Sequence, residues 1–304
     1  MKQHNQKKYI MNNINKRFNV SFYKYFYIMN PQKIYNIILK KFNLFNVLGR
    51  VYISYEGLNA QISIPKKYYK NIINFIYNLN IKLNNVLINR SSNTKKSFFN
   101  LKIKLKKNIV ADNIHDYINY NRKGVYLKNA QEVNNMFNKK SVTFIDMRNK
   151  YEYEIGHFVN AVNIPFNTFK EQLKNIIDFL KIFKNKKLVM YCTGGIRCEK
   201  ASSYLINYGF SSIYHIYGGI INYVNSAKEN NLPINFVGKM FVFDNRLYEK
   251  ISHHIISNCH QCKETCDIHR NCRNKKCNKL FIQCDKCAKK FDYFCSNDCV
   301  KKNL

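Results

Sequence analysis

The chain has no tryptophan, 4 prolines and 10 glycines in 304 residues, and 18 acidic side chains against 51 lysines and arginines. So little Pro and Gly, beside an apolar share of 46%, excludes a collagen-like, low-complexity or disordered chain. The shortage of acid leaves a formal net charge of +33, which favours a polyanionic partner such as RNA, DNA or an anionic membrane. The missing tryptophan tempers that reading. Lys, Asn, Ile, Tyr and Phe, whose codons are AT-rich, are all abundant, and lysine is spread along the whole chain, so part of the charge reflects codon usage. What is left favours a nucleic acid over an acidic small molecule. Also missing is any run near the ~20 apolar residues of a membrane helix. The basic start MKQHNQKKYIMNNINKRF is not followed by the apolar segment of a signal peptide. A cytoplasmic protein with no membrane partner is therefore expected. In that reducing compartment the 11 cysteines read as metal ligands or reactive thiols rather than disulfides.

Periodicity divides the chain. Residues 22–28 read as a strand and 31–46 as a helix with Pro in its first turn. The strands GRVYISY and LNAQISI follow, joined through Glu56-Gly57 as a hairpin. A helix over 65–79 and strand-like VLINRSS and SFFNLKIKLK complete a βαββαβ order, the ferredoxin-like α+β arrangement. It is placed in residues 1–115, with 116–124 as a linker where periodicity fails. Over 125–231 short buried strands (SVTFIDM, KKLVMYC, SSIYHIYGG) alternate with helices, which predicts a doubly wound α/β domain with a parallel sheet. Residues 232–304 form a cysteine-rich region.

In doubly wound sheets ligands bind beyond the carboxyl ends of the strands, and there stands MYCTGGIRCEKAS. Cys192 ends a buried strand, while Thr193, Gly194, Gly195 and Ile196 separate it from Arg197 at a helix start. Two glycines let successive N–H groups converge on one point. The helix dipole and the fixed arginine charge add positive potential, which lowers a thiol pKa and stabilises an anionic adduct. Cysteine phosphatases cradle phosphate with Cys-x5-Arg; the shorter loop here suits a sulfur-sized group. The competing reading is an ordinary buried cysteine in a strand-to-helix turn.

Three segments, IDMRNKYEYEIGHFVNAVNIP, MYCTGGIRCEK and YHIYGG, resemble a rhodanese (sulfurtransferase) domain. With GRVYISYEGLNAQIS and KSFFNLKIKLK upstream and VGKMFVFDNR and CHQCKETCDIHRNC downstream, the whole set is similar to the rhodanese-type tRNA uridine hydroxylases. That resemblance spans about Phe22 to Cys299. It implies an oxidoreductase that hydroxylates the wobble uridine of tRNA, position 34, to 5-hydroxyuridine with O2 as co-substrate. It also implies that Cys192 is the catalytic cysteine, of the kind that carries a persulfide in sulfurtransferases, with Arg197 beside it. No organic cofactor is evident in the sequence. A plain thiosulfate or persulfide sulfurtransferase, and an RNA-binding zinc protein with a scaffold rhodanese domain, are the alternatives.

Around this centre, Cys198 reads either as a resolving thiol for Cys192 or as a packed small residue. Asp146 and Arg148 read as a support for the loop or a structural ion pair, and Glu199 and Lys200 as a solvated helix face. His157, in the EYEIGHF segment, is expected to hold that segment rather than act as a base. Tyr55, Glu56, Asn59 and Gln61 on the hairpin could stack on and hydrogen-bond to unpaired bases, or simply make a good hairpin. The tail carries Cys259, Cys262, Cys266, Cys272, Cys277, Cys284, Cys287, Cys295 and Cys299. Two Cys-x2-Cys knuckles about 25 residues apart match a zinc ribbon or crossed brace, and nine thiols suffice for two structural zinc sites. Spacing leaves the ligand pairing and the oligomeric state open.

Overall fold

The computed structural model describes residues 17–91, 97–112 and 122–301; most of the expected linker falls outside the described residues. The first unit runs β1 (Arg17–Tyr25), α1 (Pro31–Leu44), β2 (Leu48–Ser54), β3 (Gly57–Pro65), α2 (Tyr69–Leu79), β4 (Asn89–Arg90) and β5 (Leu101–Leu105). Its sheet has the order β4-β1-β3-β2-β5. The first four strands pair antiparallel, the ferredoxin-like arrangement, and β5 adds to the edge parallel to β2. Alternation along the strands sorts the two faces. Val20, Phe22, Val51, Ile53, Ala60 and Ile62 are buried in the core that α1 and α2 close. Ser21, Tyr23, Tyr52, Asn59 and Gln61 lie on the opposite face and line a cleft.

The second unit comprises β6 (Val125–Leu127), α3 (Ala130–Phe137), β7 (Val142–Asp146), α4 (Lys150–Glu154), β8 (Gly156–Phe158), β9 (Val162–Asn163) and α5 (Phe169–Leu180). It continues with β10 (Lys187–Tyr191), α6 (Ile196–Asn207), β11 (Ile213–Ile216) and α7 (Gly219–Glu229). Its sheet β6-β11-β10-β7-β9 is parallel throughout. Both faces are covered, so successive residues of the central strands go to different cores. Phe144, Val189 and Tyr191 pack on one side, and Ile145, Leu188 and Met190 on the other. That is why these strands read as continuous apolar runs. The long helix α5 starts on a capping box in which Thr168 and Glu171 satisfy each other's backbone N–H groups.

A third segment grows out of the second. Strand β12 (Phe236–Phe241) pairs antiparallel with β8 and with β13 (Tyr248–Lys250). The tail ends in the hairpin β14 (His269–Asn271) and β15 (Leu280–Ile282) and the helices α8 (Asp285–Lys290) and α9 (Asn297–Lys301), and its cysteines lie mainly in the turns before and between them.

Several expected elements move. The first strand starts at Arg17, not residue 22, because its polar positions, Asn19 among them, face the cleft and hide the pattern. Among the described residues of VLINRSS, only Asn89 and Arg90 pair in the sheet. The strand in SSIYHIYGG stops at Ile216, since Gly218 and Gly219 take positive φ and turn the chain into α7.

Candidate active site and metal centres

The turn from β10 into α6 wraps backbone N–H groups around one sulfur. Gly195, at φ +95°, directs its N–H to Cys192 Sγ at 3.1 Å, and the N–H groups of Arg197 and Cys198 at the helix start add to the field that favours its thiolate. The loop carbonyls are held elsewhere: α7 donates from Ile220 N–H to Cys192 O (3.0 Å) and from Ile221 N–H to Thr193 O (3.2 Å). This needs Gly219, where a Cβ would stand 2.4 Å from Cys192 O. Gly194 is open, with nothing within 4 Å of a Cβ built there. Burial pushes the Cys192 thiol up, but the Cys198 thiol, the Arg197 guanidinium and the converging N–H groups outweigh it, and the thiol is pulled down to about 5. Cys198 moves the opposite way, raised by burial and by donating to the Cys192 sulfur.

Arg197 does not reach freely into solvent. Its guanidinium forms a fork on Glu152, Nη1 to Oε1 at 2.6 Å and Nη2 to Oε2 at 2.9 Å, with both side chains buried. Thr193 Oγ1 donates to the same carboxylate at 3.3 Å, and the Ile196 carbonyl accepts from the Tyr25 hydroxyl at 3.3 Å. Glu152 also caps α4, accepting the Asn149 N–H at 3.0 Å. In the sequence Glu152 shows itself only as an acidic residue three positions after a capping Asn. Asp146 and Arg148 form a fully buried pair (2.6 Å) whose guanidinium also donates to Gly156 O (2.5 Å), a brace under the sheet end. His157 stacks on Tyr153 with ring centroids 3.9 Å apart.

Cys192 looks into a cleft of about 970 Å³ shared by all three segments. Opposite the loop stands the polar sheet face of the first unit; Val242, Phe243 and Arg246 close a third side. Tyr23 reaches across to Glu199, its hydroxyl donating at 2.9 Å. Glu199 also binds Lys123 at 3.1 Å, and Lys200 is buried between Glu56 (2.9 Å) and Asp112. The helix face expected to be solvated is thus the contact between the two units, because the first unit packs over it. Every carboxylate lining the cleft is paired: Asp112 with Lys200, Glu199 with Lys123, and Asp244 and Glu249 with Arg246. Lys24, Arg50, Lys106, Lys107 and Lys170 line the same cleft without a carboxylate partner among the described residues. Of the hairpin candidates, Asn59 and Gln61 face the cleft, Glu56 pins the units together, and Tyr55 is exposed away from it.

In the tail, Cys259, Cys262, Cys284 and Cys287 form one four-thiol cluster, and Cys272, Cys277, Cys295 and Cys299 a second. The four pairs alternate along the chain, a crossed brace. A tetrahedral ion with metal–sulfur bonds of ~2.3 Å needs sulfurs about 3.8 Å apart. The sulfurs stand 3.7 Å apart for Cys262 and Cys284, 3.8 Å for Cys277 and Cys295, and 3.5 Å for Cys295 and Cys299. All four sulfurs of each cluster lie within 4.8 Å of one another, so both clusters could hold a metal ion. Cys266 joins neither; it is buried against Ile155 and Phe241 in the small core beneath.

Residues 129–226 match the rhodanese-like domain family, 17–109 the UPF0176 acylphosphatase-like domain and 237–300 the rhodanese C-terminal family. Fold and site thus define a rhodanese-type enzyme with an added α+β domain and a cysteine-rich tail. Among its relatives is the tRNA uridine(34) hydroxylase of Buchnera aphidicola subsp. Acyrthosiphon pisum (strain Tuc7), 52% identical over 287 residues, 94% of this chain and 88% of that one. Those of Buchnera aphidicola subsp. Schizaphis graminum (52%; 97% and 95% covered) and Enterobacter sp. strain 638 (49%; 95% and 83%) carry the same name. The chain belongs to the tRNA uridine(34) hydroxylase family and is an oxidoreductase.

Proposed function

We propose that this protein hydroxylates uridine 34, the wobble position of tRNA, to 5-hydroxyuridine with O2 as co-substrate, and that Cys192 is the side chain that reacts. The observation that carries the reading is the placement of the Cys192 sulfur. It accepts the Gly195 N–H at the start of α6, beside Arg197, at the floor of a cleft. At about 970 Å³ that cleft lies at the upper end of ligand-pocket volumes, roomy for a nucleotide and its neighbours. The facing sheet offers Tyr23 and Tyr52 for stacking and Asn59 and Gln61 for hydrogen bonding to an unpaired base, a mode that ferredoxin-like sheets serve in RNA recognition modules. That parallel is one of fold. Lys24, Arg50, Lys106, Lys107 and Lys170 then meet phosphates on either side of the base.

Within the loop, the backbone donors hold Cys192 as thiolate, Arg197 adds positive charge, and Glu152 fixes the arginine in place. The two four-cysteine clusters hold structural zinc, since closed four-thiolate sites leave no position for substrate, and they fold a tail too poor in apolar residues to fold alone. Among the described residues no helix is long and apolar enough to cross a membrane, in keeping with a cytoplasmic enzyme. A sulfurtransferase would use the same loop but has no need of the cationic cleft.

The test is mass spectrometry of wobble nucleosides from cells with the protein, without it, and with Cys192→Ser, grown with and without air. 5-Hydroxyuridine should appear only with the unaltered protein and air. Equal amounts in all strains would overturn the reading.

A further inference from the structure

Introducing one atom of O2 into a uridine leaves the other to be reduced to water, which takes two electrons from outside the substrate. Two thiols meet at the cradle. Cys192 lines the cleft; Cys198, in the first turn of α6, is wholly buried behind it and does not line the cleft. Cys198 lies six positions on from Cys192, in the first turn of the helix the loop opens, and both belong to one apolar cluster; each thiol shifts the other, Cys192 downward and Cys198 upward. This is the disposition of a peroxide-reducing pair: one sulfur offered to the substrate, the second within reach of the first and shielded from everything else.

Resting on the O2-dependent reading above, we propose that Cys192 and Cys198 form a dithiol couple that supplies those two electrons in each turnover. The balance is closed. Dioxygen adds at C5 of the uridine, converting C–H to C–OOH. The Cys192 thiolate attacks the distal oxygen, so the O–O bond breaks, Cys192 becomes a sulfenic acid, and the uridine oxygen takes up the proton that the thiol had released to become the hydroxyl. The Cys198 thiol attacks that sulfur; an S–S bond forms and the sulfenic oxygen leaves as water. The sum is uridine, O2 and two thiols giving 5-hydroxyuridine, water and one disulfide. An external dithiol reductant then restores both cysteines. The low thiol pKa of Cys192 and the raised one of Cys198 suit the order of events, because the first sulfur must be nucleophilic and the second must hold its proton until it resolves. The alternative role for Cys198, a hydrogen-bond donor that only lowers the Cys192 pKa, predicts no change in its own oxidation state.

The experiment is a single turnover with the full-length, metal-loaded protein. The enzyme is reduced, stripped of reductant, mixed with unmodified tRNA and aerated; nucleosides and cysteine peptides are then both read by mass spectrometry. Wild type should yield at most one 5-hydroxyuridine per chain, matched by a Cys192–Cys198 disulfide. Cys198→Ser keeps a donor to Cys192 but cannot resolve it, so its Cys192 should be trapped by dimedone as sulfenic acid. Product formed with both thiols still free, or several turnovers without reductant, overturns the couple while leaving the hydroxylase reading intact. Absence of 5-hydroxyuridine from wild type, even with a dithiol reductant and air, overturns the hydroxylase reading and the couple with it. The wild-type peptide map decides the matter even where Cys198→Ser folds poorly.

Discussion

The Arg197–Glu152 fork serves two ends that mutation can pull apart. Both partners are buried, and the carboxylate is wholly inaccessible. Removing one charge from such a pair leaves the other uncompensated, at a cost of about 3–5 kcal/mol. Glu152→Gln should therefore destabilise the protein by roughly that amount, as should Arg197→Gln. The double variant Glu152→Gln/Arg197→Gln removes both charges and should recover most of the loss. The thiol should not follow the same pattern. Cys192 stands at about 5, and the Arg197 charge is one of the causes. A cation within a few ångströms lowers an acid by about 1–3 pKa units, so Arg197→Gln should raise the Cys192 value into the range ~6–8. Glu152→Gln should leave it low or lower it further, since the arginine then has only the thiolate to face. The double variant should have near-native stability and a raised thiol. The assay is the rate of iodoacetamide labelling of the Cys192 peptide between pH 4 and 9, beside chemical denaturation of each variant. For wild type, labelling should be nearly independent of pH above about 6 and fall tenfold per unit below about 5. A double variant that labels like wild type would show that the backbone donors alone hold the thiolate, and would refute the role given to Arg197.

Three further outcomes follow from other parts of the site. Charge reversal at Arg50 or Lys106 should weaken tRNA binding, and neutralising either should lower the slope of log affinity against log salt by about 0.7–0.9; unchanged binding and slope would remove these residues from the RNA path. Metal analysis should find two ions per chain, one in Cys262→Ser and two in Cys266→Ser, because Cys266 belongs to neither cluster; loss of metal from the Cys266 variant would break that assignment. Gly219→Ala, whose Cβ would stand 2.4 Å from Cys192 O at φ +66°, should abolish modification and lower stability, whereas Gly194→Ala meets nothing within 4 Å and should fold normally. Melting curves and nucleoside analysis of the two variants decide it.

How much of this could be read from residues alone differs from one part of the site to the next. The parallel sheet was legible because both faces of β7 and β10 are buried, so that apolar runs mark them directly. The cradle was legible because its parts are contiguous in sequence. Glu152 was not, since it reaches Arg197 from 45 residues away and looks like one more acidic residue in a short helix. Tyr23 was hidden by the parity of its strand: the same alternation that buries Phe22 puts Tyr23 in the cleft, and only the packing of the two units shows what the cleft faces. The cysteine pairing also had to wait for three dimensions, because a crossed brace and two consecutive sites use the same spacings.

The start of α6 shows why the two units must meet in one orientation. Arg197 and Cys198 turn to the cradle, while the next two residues, Glu199 and Lys200, turn to the first unit and are almost inaccessible there. A buried lysine with carboxylates from Glu56 and Asp112, and a buried glutamate with Tyr23 and Lys123, contribute little net stability once desolvation is counted. They do penalise any other docking, since each displaced unit would strand a charge out of water. The geometry between Cys192 and the polar sheet face is therefore built in before a substrate arrives, by residues immediately following the reactive loop. The alternative is a cleft that closes over the base. In that case Lys200→Met, which removes the pinning charge, would leave catalysis intact and alter only tRNA affinity. With a preformed cleft, the same change should lower the rate of modification at saturating tRNA, because the sheet face no longer stands at a fixed distance from the sulfur. Single-turnover rates measured with excess enzyme over tRNA separate the two, and an unchanged rate would show that the cleft closes instead.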